Sequence, residues 1–136
     1  NPTLQNILKI SETLQVGLDE LLSTPRDPIT LVRKNKILAK RKTKDALIYD
    51  LLPDPVINFD LERIELGPHA YLGGNPHTDH SKEYFICLSG KAELNVSGRK
   101  FDLEKGDILI FPGDSKHSYR NLRNEKLIGI SVIHRP

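Results

Sequence analysis

From residue 46 onward no helical period is sustained. Short apolar and alternating runs, ALIYDLL, INFDLERIEL, EYFICLSG, KAELNV, RKFDL, DILIF and LIGISVIH, follow one another at close intervals. Between them stand Pro53 and Pro55, Gly67-Pro68, Gly73-Gly74, Ser97-Gly98, Lys105-Gly106 and Pro112-Gly113. Residues of this kind either fix φ or admit positive φ, so they mark places where the chain turns. Short strands reversed this often predict a small all-β domain over residues 46–136, a sandwich or barrel.

The first 23 residues follow a different rule. Thr3 is placed to cap a helix whose Leu4, Ile7, Leu8 and Leu14 share one face, and Gly17 breaks the pattern. Asp19 and Glu20 then suit the first turn of a second short helix with Leu18, Leu21 and Leu22 as its apolar stripe. Two helices of this size cannot bury both stripes against each other alone. Residues 24–45 form a third kind of segment. They carry eight basic side chains against two acidic ones, a local excess of +6 in a chain whose total is +2. Such a segment reads as a solvated linker or a lysine-protected edge strand. Its functional reading is weak, sequence-independent contact with DNA phosphates through Arg33, Lys34, Lys36, Lys40 and Arg41.

With 136 residues the chain has room for one domain and a small appendage. No apolar run reaches the roughly 20 residues that span a bilayer, and no secretion-signal pattern opens the chain, so a cytoplasmic protein with no membrane partner is expected. The lone cysteine, Cys87, sits in an apolar run and reads as a buried small hydrophobe. The chain opens on Asn1 and has no methionine, which leads to the expectation that it is the C-terminal part of something longer.

The chemistry is concentrated in two stretches. In HTDHSKEYFICLSG, an extended backbone would point His77, Asp79 and Glu83 the same way and carry Glu83 inward with Phe85 and Cys87. In GDILIFPGDSKHSYRN, His117, Tyr119 and Asn121 share one face after the Pro112-Gly113-Asp114 turn. Pairing the second strand with the first is expected to bring His117 to His77 and Glu83.

These stretches resemble the two cupin motifs. His77, Glu83 and Gly90 match the first, G-x(5)-H-x-H-x(3,4)-E-x(6)-G, and Gly106, Pro112, His117 and Asn121 match the second, G-x(5)-P-x-G-x(2)-H-x(3)-N. Asp79 stands where a second histidine is usual, no glycine stands six before His77, and Pro112-Gly113-Asp114 replaces P-x-G. The resemblance implies a mainly β protein, a double-stranded β-helix or jelly-roll barrel around one cavity. It also implies a metal shell of His77, Glu83 and His117 with Asp79 as a fourth ligand. That donor set suits a divalent first-row ion such as Fe, Mn, Ni or Zn. The alternative is that the same residues hydrogen-bond an organic ligand or each other. Tyr84, Tyr119 and Asn121 are the candidate ligand-binding residues.

The opening NPTLQNILKISETLQVGLDELLS is similar to the end of a Cro/repressor-type (XRE-family) helix-turn-helix domain, lacking the recognition helix. Together the two resemblances imply a one-component bacterial transcriptional regulator. A remnant of the DNA-binding domain (1–23) and a basic linker (24–45) would precede a cupin sensor (46–136). Its partners would be a small-molecule effector, a second copy in a homodimer, and DNA through the missing N-terminal part. The chain would not be an enzyme; the alternative is a mononuclear metal-dependent cupin oxygenase resembling the epoxidases of that architecture.

Overall fold

A computed structural model describes residues 3–15, 17 and 28–136. The chain divides into two compact units, residues 1–31 and 32–136. In the first, α1 (Leu4–Leu14) starts at Thr3, whose side chain accepts a hydrogen bond from the Asn6 amide at 3.2 Å. It stops at Gln15 in the left-handed conformation, two residues before Gly17. Leu4, Leu8 and Leu14 of its apolar face are exposed. The second expected helix, around residues 18–22, lies outside the described residues.

The second unit is the all-β domain. Its ten strands are β1 (Ala39–Lys42), β2 (Ala46–Asp50), β3 (Phe59–Leu66), β4 (Tyr71–Gly74), β5 (Lys82–Ser89), β6 (Ala92–Val96), β7 (Arg99–Leu103), β8 (Ile108–Pro112), β9 (His117–Arg120) and β10 (Leu127–His134). They form two antiparallel sheets, ordered β1-β2-β3-β10-β5-β8 and β4-β9-β6-β7. The seven runs legible in the sequence all became strands. One hairpin shows why the turn residues sit where they do. Val96 pairs with Arg99, and the two residues between, Ser97 and Gly98, both have positive φ (50° and 86°), the twist a two-residue hairpin needs.

Alternation along the strands fills the space between the sheets. Leu66 of β3, Phe85 and Cys87 of β5 and Leu127 of β10 meet Leu72 of β4, Leu94 of β6 and Tyr119 of β9. Each large apolar side chain buried this way contributes about 1.5–3 kcal/mol. Cys87 is a buried free thiol, as expected, and burial pushes its pKa up.

The expected boundary at residue 46 requires correction. Residues 39–42 of the presumed basic linker form β1, which pairs with β2 across a turn held by Thr43. The Thr43 amide donates to the Ala46 carbonyl at 2.8 Å, and the Ala46 amide donates to Thr43 Oγ1 at 3.1 Å. Alternation was hidden because four residues, AKRK, offer no apolar side to recognise.

Candidate metal and effector site

Glu83 is the centre of the site. β5 carries it inward on the same face as Phe85 and Cys87, and the side chain is 1% exposed. Its Oε1 accepts hydrogen bonds from the Tyr119 hydroxyl and from Ser131 Oγ, the latter at 2.5 Å. Its Oε2 lies 3.4 Å from His77 Nε2 and 3.3 Å from His117 Nε2. No hydrogen bond reaches this second oxygen, although it is buried. Burial pushes the Glu83 pKa up, but the approach of His77, the bonds from Ser131 and Tyr119 and the charge of His117 more than offset it. The carboxyl is held below its usual range. Burial and the Glu83 charge push Tyr119 well above the usual phenol range, so Tyr119 stays a proton donor.

His117 reaches Glu83 by a route different from the expected one. β9 does not pair with β5; it lies in the opposite sheet between β4 and β6. The two residues meet face to face across the sandwich. His117 Nδ1 lies 2.8 Å from the Ser115 carbonyl, which can only accept, so Nδ1 carries a proton and Nε2 faces Glu83. Gly74, paired directly with His117, makes room for this ring: a Cβ there would lie 2.3 Å from Nε2. His77 sits on a loop that two backbone hydrogen bonds tie to the turn after β8, from the His77 amide to Gly113 O at 2.8 Å and from the Gly113 amide to Ser81 O at 2.9 Å. Thus the proline-glycine turn of the second motif positions the first histidine of the first.

The three ligand atoms of His77, Glu83 and His117 lie within 4.8 Å of one another. Two donors each about 2.1 Å from one ion and roughly 100° apart sit about 3.2 Å from each other. The observed separations from Glu83 Oε2, 3.3 and 3.4 Å, match that spacing. The proton on Nδ1 strengthens the case. A neutral His117 would aim a lone pair at a carboxylate oxygen 3.3 Å away, an arrangement that needs a second proton or a cation between them. Two imidazoles and one carboxylate fit a divalent first-row metal.

Asp79 does not join them. It is exposed, and residues 78–80 form a turn rather than a strand. The Ser81 amide bonds back to Thr78 O at 3.1 Å and His80 adopts a positive φ of 64°, so strict alternation fails there. Asn121 was expected to bind ligand, yet it is fully buried. Its amide donates to the carbonyls of Leu66, Gly67 and Glu125, and its oxygen accepts from the Arg123 amide. Both its amide N–H donors and its oxygen are engaged in holding loops. Tyr84 projects from the other face of β5 and does not line the cavity. Tyr119 does line it.

Above the three residues opens a cavity of about 130 Å³. Lys40, Arg41, Ile48, Glu62, Gly73 and Asn75 are among its walls. Lys40 and Arg41 thus border a cavity rather than a purely solvated face, whereas Arg33, Lys34 and Lys36 are exposed around a single 3-10 turn. Two polar residues escaped the sequence reading, although a signal existed for both. Glu62 is the polar member of an inward row with Ile64 and Leu66, and Ser131 interrupts the inward row of Leu127, Gly129 and Ile133.

Residues 62–133 match the family model described as "Cupin domain". The chain belongs to the cupin family. Among cupins of known structure, the Cupin_2 domain of an XRE family transcriptional regulator from Enterobacter cloacae is 30% identical, with a TM-score of 0.64, covering 68% of this chain and 99% of that one. The HTH-type transcriptional regulator SutR of Escherichia coli strain K12 is 27% identical over 137 residues, spanning 100% of this chain and 74% of the regulator. Quercetin 2,3-dioxygenase of Bacillus subtilis strain 168 is 34% identical over 64 residues, 43% of this chain but 19% of the enzyme. This cupin therefore has both XRE-type regulators and an enzyme among its relatives, and the regulators match it over more of its length. Among the described residues no helix is long and apolar enough to cross a membrane.

Proposed function

We propose that this cupin is the effector-sensing domain of a cytoplasmic one-component transcriptional regulator, with a divalent metal ion held by His77, Glu83 and His117 at the floor of its cavity. The observation that carries the metal is the buried Oε2 of Glu83, which has no hydrogen-bond donor yet faces two imidazole nitrogens. When bound, an ion of this class polarises an oxygen of the ligand beside it. The chain's own residues do the rest: Tyr119 and Ser131 hold the carboxylate, and Ser115 fixes the His117 tautomer. Regulation then requires the effector to bind the DNA-competent and DNA-incompetent arrangements with different free energies.

The regulator reading also calls for a homodimer, since such proteins read paired half-sites. The outer face of the long sheet supports one. Val132, Tyr84 and Ile110 form one cross-strand row there, Ile130, Ile86 and Ile108 another, and Ile108 and Ile110 are exposed. A sheet apolar on both faces has a second surface to cover. Light scattering at micromolar concentration should give twice the chain mass.

The test against the enzyme alternative is an oxygen-uptake screen on protein loaded with Fe, Mn or Ni in the presence of candidate substrates. Metal binding with no turnover is the expected result; sustained uptake that vanishes in the His117→Ala variant would favour an oxygenase.

A further inference from the structure

The cavity mouth carries an arrangement that the three residues at the floor do not explain. β1 pairs with β2 through Ala39↔Tyr49 and Arg41↔Ile48, so the register slips by one residue between Ala39 and Arg41. That extra residue is Lys40. Without the slip, consecutive residues would point to opposite faces of the sheet; with it, both Lys40 and Arg41 border the cavity. Bulges of this kind re-aim side chains beside sites.

The two cations are held differently. Lys40 Nζ lies 2.8 Å from Oε2 of Glu62, whose side chain is 10% exposed. One reading of Lys40 is therefore that it neutralises a buried carboxylate. Arg41 has no such explanation. Its guanidinium donates one hydrogen bond, to the Gly73 carbonyl at 3.0 Å across the mouth in the other sheet. Among the described residues no carboxylate lies within ion-pair distance of it. Arginine has five donors in a fixed fork suited to carboxylates, and most of this one's donors meet no acceptor among the described residues. Counting charges over the cavity wall, Lys40 and Arg41 balance Glu62 and Glu83. A divalent ion at the floor would leave an excess of positive charge.

We propose that Lys40 and Arg41, brought to one side by the β1 bulge, select a small anionic effector, a carboxylate-bearing molecule whose acid group docks on Arg41 at the mouth. This rests on the reading of the cavity as an effector site. Glu62 opposes the anion and restrains Lys40, so it sets the affinity in the opposite sense.

The test is calorimetric titration of the whole chain at low salt with formate, oxalate, malonate, succinate and benzoate, each beside its neutral amide. Metal content is measured on the same samples. At least one acid should bind tenfold or more tightly than its amide. Arg41→Met should lower that affinity at least tenfold, Arg41→Lys should fall between, and Glu62→Gln should raise it severalfold. If Arg41→Met does not fold, the other two variants decide. The opposite signs expected for Arg41 and Glu62 separate recognition from general destabilisation, which would weaken binding in both. The proposal is overturned if no acid outbinds its amide, or if the favoured acid binds the Arg41 variants as it binds the parent. The floor assignment fails separately: absence of metal with Arg41-dependent acid binding intact would remove the metal and leave the mouth.

Discussion

At the floor of the cavity, Glu83 and His117 converge from strands whose registers are fixed on both sides, and His77 from a loop tied to the turn after β8: β5 lies between β10 and β8, and β9 between β4 and β6. At the mouth, Lys40 and Arg41 hang from β1, the outermost strand of its sheet, with β2 as its one neighbour. At the floor Glu83 and His117 are buried and His77 is partly so, with both imidazoles turned to one carboxylate oxygen; Lys40 at the mouth is half-exposed. A site built this way separates its tasks. The rigid part can hold an ion in fixed geometry, and the looser part can exchange internal partners for a ligand. The difference also gives the two regions distinct responses to substitution.

The largest separation is expected for His117→Ala. Loss of an outer partner of a metal ligand typically costs 10–100-fold in affinity, so loss of a ligand itself should cost more than about 100-fold. Lys40→Met should leave metal affinity unchanged by the same titration. If the two variants lost metal equally, floor and mouth would not be separate.

Gly74→Ala probes how the floor is made. The added Cβ would fall 2.3 Å from His117 Nε2, with backbone pairing on that strand resisting any shift. Overpacking of this kind costs about 1–3 kcal/mol, and thermal unfolding should show it together with weaker metal binding. A variant with the stability and metal affinity of the parent would mean that the ring has room the structure does not show.

Asn121→Ala is the sharpest control, because Asn121 belongs to the same motif as His117 but points its amide at backbone carbonyls. Leaving those groups without a partner should cost about 1–3 kcal/mol of stability. Metal and acid affinity should be retained in the folded fraction. Selective loss of ligand binding at parental stability would return Asn121 to the ligand-binding set.

The smallest effect belongs to the mouth. The hydrogen bond to Glu62 raises the Lys40 pKa; partial burial opposes it, and the charges of Glu62, Asp60 and Asp50 add to the rise. A lysine whose folded-state pKa is raised stabilises the fold below its ordinary pKa of 10.5, and that contribution is lost as pH rises through the folded value. Because the Lys40 side chain is 53% exposed, solvent screening limits the contribution to below about 1 kcal/mol. Lys40→Met should therefore flatten the alkaline limb of stability against pH only slightly. A steep change in the alkaline limb would contradict a solvent-screened pairing with Glu62.

The same contrast explains what the sequence disclosed. Glu83 and His117 are legible because motif spacing and strand alternation report positions whose neighbours are regular, and His77, on a loop, through motif spacing alone. Their route to one another was not, since whether β9 faces β5 or pairs beside it depends on sheet assignment, which period-2 patterning does not encode. Asp79 was misplaced because one turn residue with positive φ, His80, ends the alternation. Asn121 was placed on the correct inward row, but burial alone does not tell a ligand donor from a loop clasp. For Lys40 and Arg41 the choice between solvated linker and lysine-protected edge strand stays open in the sequence, and β1 is an edge strand; the bulge leaves no mark in AKRK, whose side chains are all polar or small. Regular elements carry their geometry in their period; irregular ones take it from partners distant in the chain.

The most direct measurement is elemental analysis of the protein purified without added metal, followed by titration with Mn, Fe, Ni and Zn under calorimetry. One divalent ion per chain is expected, bound by the parent and lost in His117→Ala and Glu83→Gln variants that remain folded. No metal above background, with no stabilisation by any of the four ions, would contradict it and leave His77, Glu83 and His117 as a hydrogen-bonded cluster.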